Sequence, residues 1–83
     1  MPNSSQRDAI IARLVELLRG ERLRQELSIN EVATRSGLSH TMVMRVEKRE
    51  RLPTIDTLLR IADALGVNLW KVLKSATEKT GRE

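Results

Sequence analysis

The segment Ser28–Glu47, SINEVATRSGLSHTMVMRVE, decides the fold. Ser28 followed three residues later by Glu31 is a capping-box pattern: the hydroxyl accepts from an orphan amide, and the carboxylate reaches back to the cap. The helix that starts here carries Val32 and Ala33 inward and stops at Ser36. Gly37 follows, and glycine takes cheaply the left-handed conformation that commonly closes a helix. Leu38 then drops toward the core, Ser39 supplies a second N-cap, and a new helix opens at His40. Two short helices joined by so tight a turn cross at a steep angle. In the second, Val43 and Val46 face inward with Leu38. Thr41, Met44, Arg45 and Lys48 follow i, i+3, i+4, i+7 spacing and line an outward stripe, with His40 at its exposed N-terminal end. Side chains of that length beside a basic end suit a helix that enters the major groove of DNA. An ordinary amphipathic helix with a solvated face has the same pattern, so the flanking sequence has to decide.

The chain has 83 residues, room for one domain and one core. A domain this small has a stability of roughly 5–15 kcal/mol. Trp70 is its only aromatic residue, so the core is built from Leu, Ile, Val and Ala. Fifteen Lys and Arg against eleven Asp and Glu give a net charge of +4, which suits a polyanionic partner without requiring one. There is no cysteine, hence no disulfide and no thiolate metal site. No apolar run approaches the ~20 residues of a membrane span. The opening MPNSSQRD lacks a signal-peptide core, which makes a cytoplasmic location the default expectation. With one His, no Cys, no Tyr and no paired acids in an expected pocket, no catalytic constellation is legible. No enzyme activity, metal, cofactor or small-molecule ligand is expected.

Outward from the central pair, residues 1–5 are polar and read as a flexible terminus. Ser5 with Asp8 is a further capping-box pattern, so helix one is expected over 6–25. Ile11, Leu14 and Leu18 form its buried stripe, with Ile10, Val15 and Leu17 beside it. Gly20 weakens this helix by about 1 kcal/mol relative to Ala without ending it. Its extra N-terminal turns, with Ile10 and Ile11, are long enough to cover helix five or a second subunit. The central helices are expected over 29–36 and 40–48. Lys48-Arg49-Glu50-Arg51-Leu52-Pro53 is a charged loop, because Pro53 disfavours helix in the residue before it. Thr54 caps a helix over 55–65, with Asp56 in its first turn and Ile55, Leu58, Leu59, Ala62 and Leu65 on its apolar side. Gly66 ends it, Val67 enters the core, and Asn68 caps a last helix over 69–75 that keeps Leu69, Val72 and Leu73 inward. Residues 76–83 read as a polar tail. The pattern is all-α: five helices over 6–75 around an aliphatic core, with no strand signal, repeat or low-complexity segment.

From Leu27 to Leu69 the chain reads LSINEVATRSGLSHTMVMRVEKRERLPTIDTLLRIADALGVNL. This resembles the Cro/repressor-type, Xre-like helix-turn-helix DNA-binding domain. The resemblance rests on the order and spacing of Val32-Ala33, Gly37-Leu38-Ser39, Val46-Glu47, Pro53 and Ile61-Ala62-Asp63-Ala64-Leu65-Gly66-Val67. It implies a five-helix lambda-repressor-like fold whose helices two and three form the motif. It also implies a homodimer that places one recognition helix of each subunit in successive major grooves of an inverted repeat in double-stranded DNA. Carried onto this sequence, His40, Thr41, Met44 and Arg45 reach base edges. Arg45 can give two parallel bonds to guanine, Thr41 can donate or accept, His40 can bond a base or a phosphate, and Met44 can touch a thymine methyl. Met44 packed against helix two and His40 merely solvated are the plain alternatives.

Ser28, Thr54 and the first amides of their helices, with Lys48, Arg49 and Arg51, would hold phosphates, which position the protein without reading sequence. Arg22 and Glu47 match a structural ion pair between helix one and the end of the recognition helix. The chain departs from the family at four places. Ile29 stands where many relatives have a Gln that contacts phosphate and braces the first reading residue. Arg49 and Glu26 stand where Gly is common. At Arg49 either a left-handed residue or a longer helix is required. Trp70 stands at an often polar, outward position, where it either anchors a dimer interface or folds back on helix one. The function implied is a sequence-specific transcriptional regulator: a phage-like repressor, an antitoxin or a restriction–modification controller. The alternative is a protein-interaction module on the same fold that has lost DNA binding, which the missing Gln favours.

Overall fold

Three side-chain caps set the starts of the middle helices. Ser28 Oγ accepts from the Glu31 N–H at 3.0 Å, and Glu31 Oε1 accepts from the Ser28 N–H at 2.8 Å, so the box that opens α2 (Ile29–Ser36) is complete. Ser39 Oγ accepts from the Met42 N–H at 3.0 Å and opens α3 (His40–Glu47). Thr54 Oγ1 accepts from the Thr57 N–H at 3.1 Å and opens α4 (Ile55–Leu65). The computed structural model describes residues 4–81, and adds α1 (Ser4–Arg24) and α5 (Leu69–Gly81) at the two ends. The described residues contain five helices and no strand, an all-α fold.

Helices α1 to α4 all close the same way. One or two residues past each end, a residue takes a left-handed conformation: Glu26 at φ 60°, Gly37 at 75°, Arg49 at 60° and Gly66 at 71°. The next N–H then reaches back over the last turn, Leu27 to the Arg22 carbonyl at 3.1 Å, Leu38 to Ala33 at 3.1 Å, Glu50 to Arg45 at 2.8 Å and Val67 to Ala62 at 3.0 Å. These are Schellman closures, which satisfy carbonyls the helix leaves free. Arg49 therefore takes the left-handed alternative, and α3 ends at Glu47 with Lys48 as its C-cap.

The core lies where α1, α3 and α4 converge under α2 and α5. Val32, Val43 and Val46 are its largest fully buried side chains, in one cluster with Leu14, Leu18, Ile61, Leu65 and Ala76. α1 packs most extensively against α5, and α2 sits between α3 and α4. With Val43 and Val46 pointing down, the opposite side of α3 is turned out to solvent.

Several boundaries and faces differ from the sequence expectation. α1 starts at Ser4, so Ser5 lies inside the helix rather than capping it, and Ser4 and Ser5 are not part of a loose terminus. The rest of that expected terminus, residues 1–3, lies outside the described residues. α5 does not end at 75: it continues to Gly81, because Ala76 is completely buried against the core. One inward alanine in an otherwise polar run holds a helix that composition reads as a tail, of which residues 82–83 lie outside the described part. On α4, Ile55 and Leu59 are exposed, not inward. The buried stripe centres on Leu58, Ile61 and Leu65, which leaves Ile55 and Leu59 about a quarter to a third of a turn away. Leu73 on α5 is likewise exposed. Ile10 and Ile11 are half-buried against the core of their own chain. No described helix is long and apolar enough to cross a membrane.

Candidate nucleic-acid interface

α3 is held from beneath and free above. Its apolar underside fixes its rotation about its own axis, and that rotation sets which residues face out. His40, Thr41 and Arg45 are exposed, and Met44 is half-buried at the edge of the same stripe. Met44 thus lies between the two sequence alternatives: one side of its thioether chain is covered and the other is open. The side chains of His40, Thr41 and Arg45 form no hydrogen bond or ion pair with any described residue. The Arg45 fork of five N–H donors is left for a ligand.

The phosphate-contact candidates divide into two kinds. Lys48, Arg49 and Arg51 are exposed at and after the end of α3 and carry no ion-pair partner among the described residues. The Schellman closure fixes the backbone at Arg49, so its side chain leaves the loop in a defined direction. Ser28 and Thr54 are exposed but occupied as caps. Thr54 also donates its hydroxyl to Thr57 Oγ1 at 3.0 Å, so the groups open to an anion there are the first amides of α4 rather than the Thr54 hydroxyl. Ile29 packs its side chain partly against the core. A polar brace to His40 is thus replaced by an apolar contact.

Arg22 and Glu47 form a two-pronged bridge. Arg22 Nε donates to Glu47 Oε2 at 2.7 Å and Nη2 donates to Oε1 at 2.9 Å. Nη1 donates to the Leu27 carbonyl at 2.8 Å, so the same guanidinium also ties down the α1–α2 turn. The two side chains are only 10% and 12% exposed. The hydrogen bonds that Arg22 donates to Glu47 hold its pKa above its already high ordinary value, against the opposing effect of burial. A third residue joins the cluster that sequence reasoning missed: Arg19 Nε lies 3.8 Å from Glu47 Oε1. Its spacing of three from Arg22 on one helix was the available signal.

Two further braces were also missed. Arg60 bonds Asp56 at 2.8 Å, a spacing of four that sequence could have flagged, and reaches the Ser36 carbonyl at 3.3 Å. It thereby caps α2 from α4. Gln25 Nε2 donates to the Leu65 carbonyl at 2.7 Å, joining the ends of α1 and α4, with no local signal. The Arg60 contact to α2 and the Arg22 bridge to α3 fix that pair on the rest of the domain.

Trp70 does not fold back on α1: its side chain is exposed, with Lys74 Nζ at 5.4 Å from the ring centre. It borders an open cleft of about 510 Å³ with Leu59 and Asp63. No group of three or more metal-ligating side chains is gathered anywhere among the described residues.

A search of curated proteins finds no match to the chain. A family model described as helix-turn-helix matches residues 18–69. That span runs from the last third of α1 through the α2–α3 pair and α4 to the first residue of α5, and so contains the outward stripe and the Arg22–Glu47 bridge. The chain belongs to the Cro/Xre-like helix-turn-helix family of DNA-binding regulatory domains.

Proposed function

We propose that this domain is a sequence-specific transcriptional regulator that binds double-stranded DNA as a homodimer and lays α3 of each subunit in the major groove of an inverted repeat. The observation that carries the reading is the unpartnered stripe of His40, Thr41 and Arg45 on α3, with Lys48, Arg49 and Arg51 unpaired at its end. In the docked form Arg45 donates two bonds to guanine O6 and N7, Thr41 and His40 serve neighbouring base edges or phosphate, and the open side of Met44 meets a thymine methyl. Lys48, Arg49, Arg51 and the first amides of α2 and α4, beside Ser28 and Thr54, hold the two backbones. The dimer reading rests on the exposed Trp70 with Leu59 beside it: large apolar side chains on one face suit an interface anchor. Such a regulator acts by occupancy, and a repressor is the simplest form.

Selection of bound duplexes from a random pool tests this. A palindromic site with half-site centres about 34–36 Å apart, one helical turn, is expected. Recovery of unrelated sequences, or of a single half-site by a chain that sediments as a monomer, would overturn the dimeric reader. Retention of no DNA at low salt would leave the interaction module, which the apolar Ile29 favours.

A further inference from the structure

The middle of α1, the end of α3 and the loop after it enclose a groove whose lining contains none of His40, Thr41, Met44 or Arg45. On one side it is a cleft of about 460 Å³ between α1 and the end of α3. Ala12, Val15 and Arg49 line this cleft and also a second of about 250 Å³, so the two are continuous and run out to Leu52 and Pro53. The α1 residues that line the groove span Asp8 to Arg19, a length of about 16 Å or three helical turns. Much of α1 that builds it precedes the segment shared with the family, which begins at residue 18.

Its floor is low and apolar. Ala9 and Ala12 present only methyl groups, Val15 and Val46 lie at the base, and Leu52, 71% exposed, ends the trough. Its rim is cationic: Arg13 and Arg19 on α1, Arg49 and Arg51 on the loop. Of the acids in it, Glu47 is matched by the Arg22 fork and Glu16 lies 3.4 Å from Arg13. Asp8 stands at the far end, and Arg49 and Arg51 have no partner among the described residues. An open trough the length of three turns fits a helix better than a small molecule, which needs enclosure.

We propose that this groove docks an acidic amphipathic helix of a partner protein. The apolar face of that helix lies on the alanine floor, and its carboxylates meet Arg13, Arg49 and Arg51. Charge complementarity sets the sign of the partner, and the small side chains let its backbone approach closely. Because Arg49 and Arg51 would be withdrawn from phosphates, docking competes with DNA. That consequence rests on the function proposed above, whereas the docking itself does not.

The probe is a capped synthetic peptide of about four turns with Leu along one face and Glu flanking it. Two matched peptides replace either every Glu by Lys or every Leu by Ser. Titrated into isotope-labelled protein, the first is expected to shift the amides of Ala9, Ala12, Val15, Arg49 and Arg51. Ala12→Gln fills the floor with a good helix former and should weaken the peptide at least about tenfold at unchanged Tm. Arg13→Gln provides the same test from the rim. Equal binding of the Ser-for-Leu peptide, or shifts elsewhere than the groove, overturns the proposal. In gel shifts, Ala12→Gln should leave DNA affinity unchanged, and the first peptide should release DNA where the Ser-for-Leu peptide does not. A loss of DNA affinity in step with peptide affinity would make the groove part of the DNA face and also overturns it. If the chain bound no DNA at all, the regulator reading would fail while the peptide titration stayed readable.

Discussion

Arg45 has one task that its neighbours do not share, because it is the one outward guanidinium within α3 and nothing in its own protein engages it. Replacing Arg45 with Ala is expected to cost about 1–3 kcal/mol of DNA affinity and to relax preference at one base position, leaving the others intact. Repeating the selection with the variant checks this: an unchanged consensus removes Arg45 from the readers. Glu26 shows a different residue-scale effect. It is exposed and held at φ 60°, where a side chain costs roughly 1–2 kcal/mol and glycine nothing, although glycine also loosens the unfolded chain. Glu26→Gly should therefore stabilise the fold, by up to about 1 kcal/mol, with DNA binding untouched; a lower Tm would show that Glu26 makes a compensating contact. Both departures from glycine, at Glu26 and Arg49, were visible in the sequence as anomalies. Their shared resolution was not visible, because the hydrogen bonds that close a helix do not depend on the side chain that sits in the turn.

At the scale of elements, the bridge from Arg22 to Glu47 decides how α3 is seated. Both side chains are nearly buried, so removing one partner strands the other. Glu47→Ala should cost about 3 kcal/mol, a fall in Tm of more than about 10 °C, while the preferred DNA sequence stays the same. A melting curve within error of the parent would show that water solvates the stranded Arg22 and that the bridge adds no net stability. The start of α2 gives a pH-dependent counterpart. The Ser28 N–H and hydroxyl hold the Glu31 carboxyl below the ordinary glutamate range. A carboxylate with a depressed folded-state pKa contributes stability above the ordinary value of about 4.3, and loses it as pH falls through the folded value. Glu31→Gln keeps an acceptor but not the charge. Its Tm deficit at about pH 7 should shrink at about pH 3, and a constant deficit would refute the linkage. The starts of α2, α3 and α4 were legible because Ser and Thr caps are local chemistry. The end of α5 was not, because a single buried Ala76 carries no periodic signal against a polar background. The faces of Ile55 and Leu59 were misread for a related reason: apolar residues on both flanks of α4 leave its rotation undecided until its neighbours are in place.

Lys48, Arg49 and Arg51, at the end of α3 and along the loop to α4, form a run of cations with no ion-pair partner among the described residues. Affinity for DNA should accordingly fall steeply with salt, and Arg51→Ala should weaken binding to every sequence alike and reduce the logarithmic salt slope by about one. A slope that does not move would place Arg51 off the phosphates. Sequence alone could assemble the candidate surface because all its members lie between Ser28 and Thr54; Arg19 and Arg60 left only a helical spacing, which does not say where they reach across the fold, and Gln25 left no signal. The same division between aliphatic interior and lone surface indole has a spectroscopic consequence. Trp70 is 63% exposed and no other aromatic residue exists in the chain. The indole of an isolated subunit should emit much as it does in water, so denaturation is expected to change the colour of its light little. A shift toward the blue on concentrating the native protein then reports that something has covered the ring, and cannot be mistaken for folding.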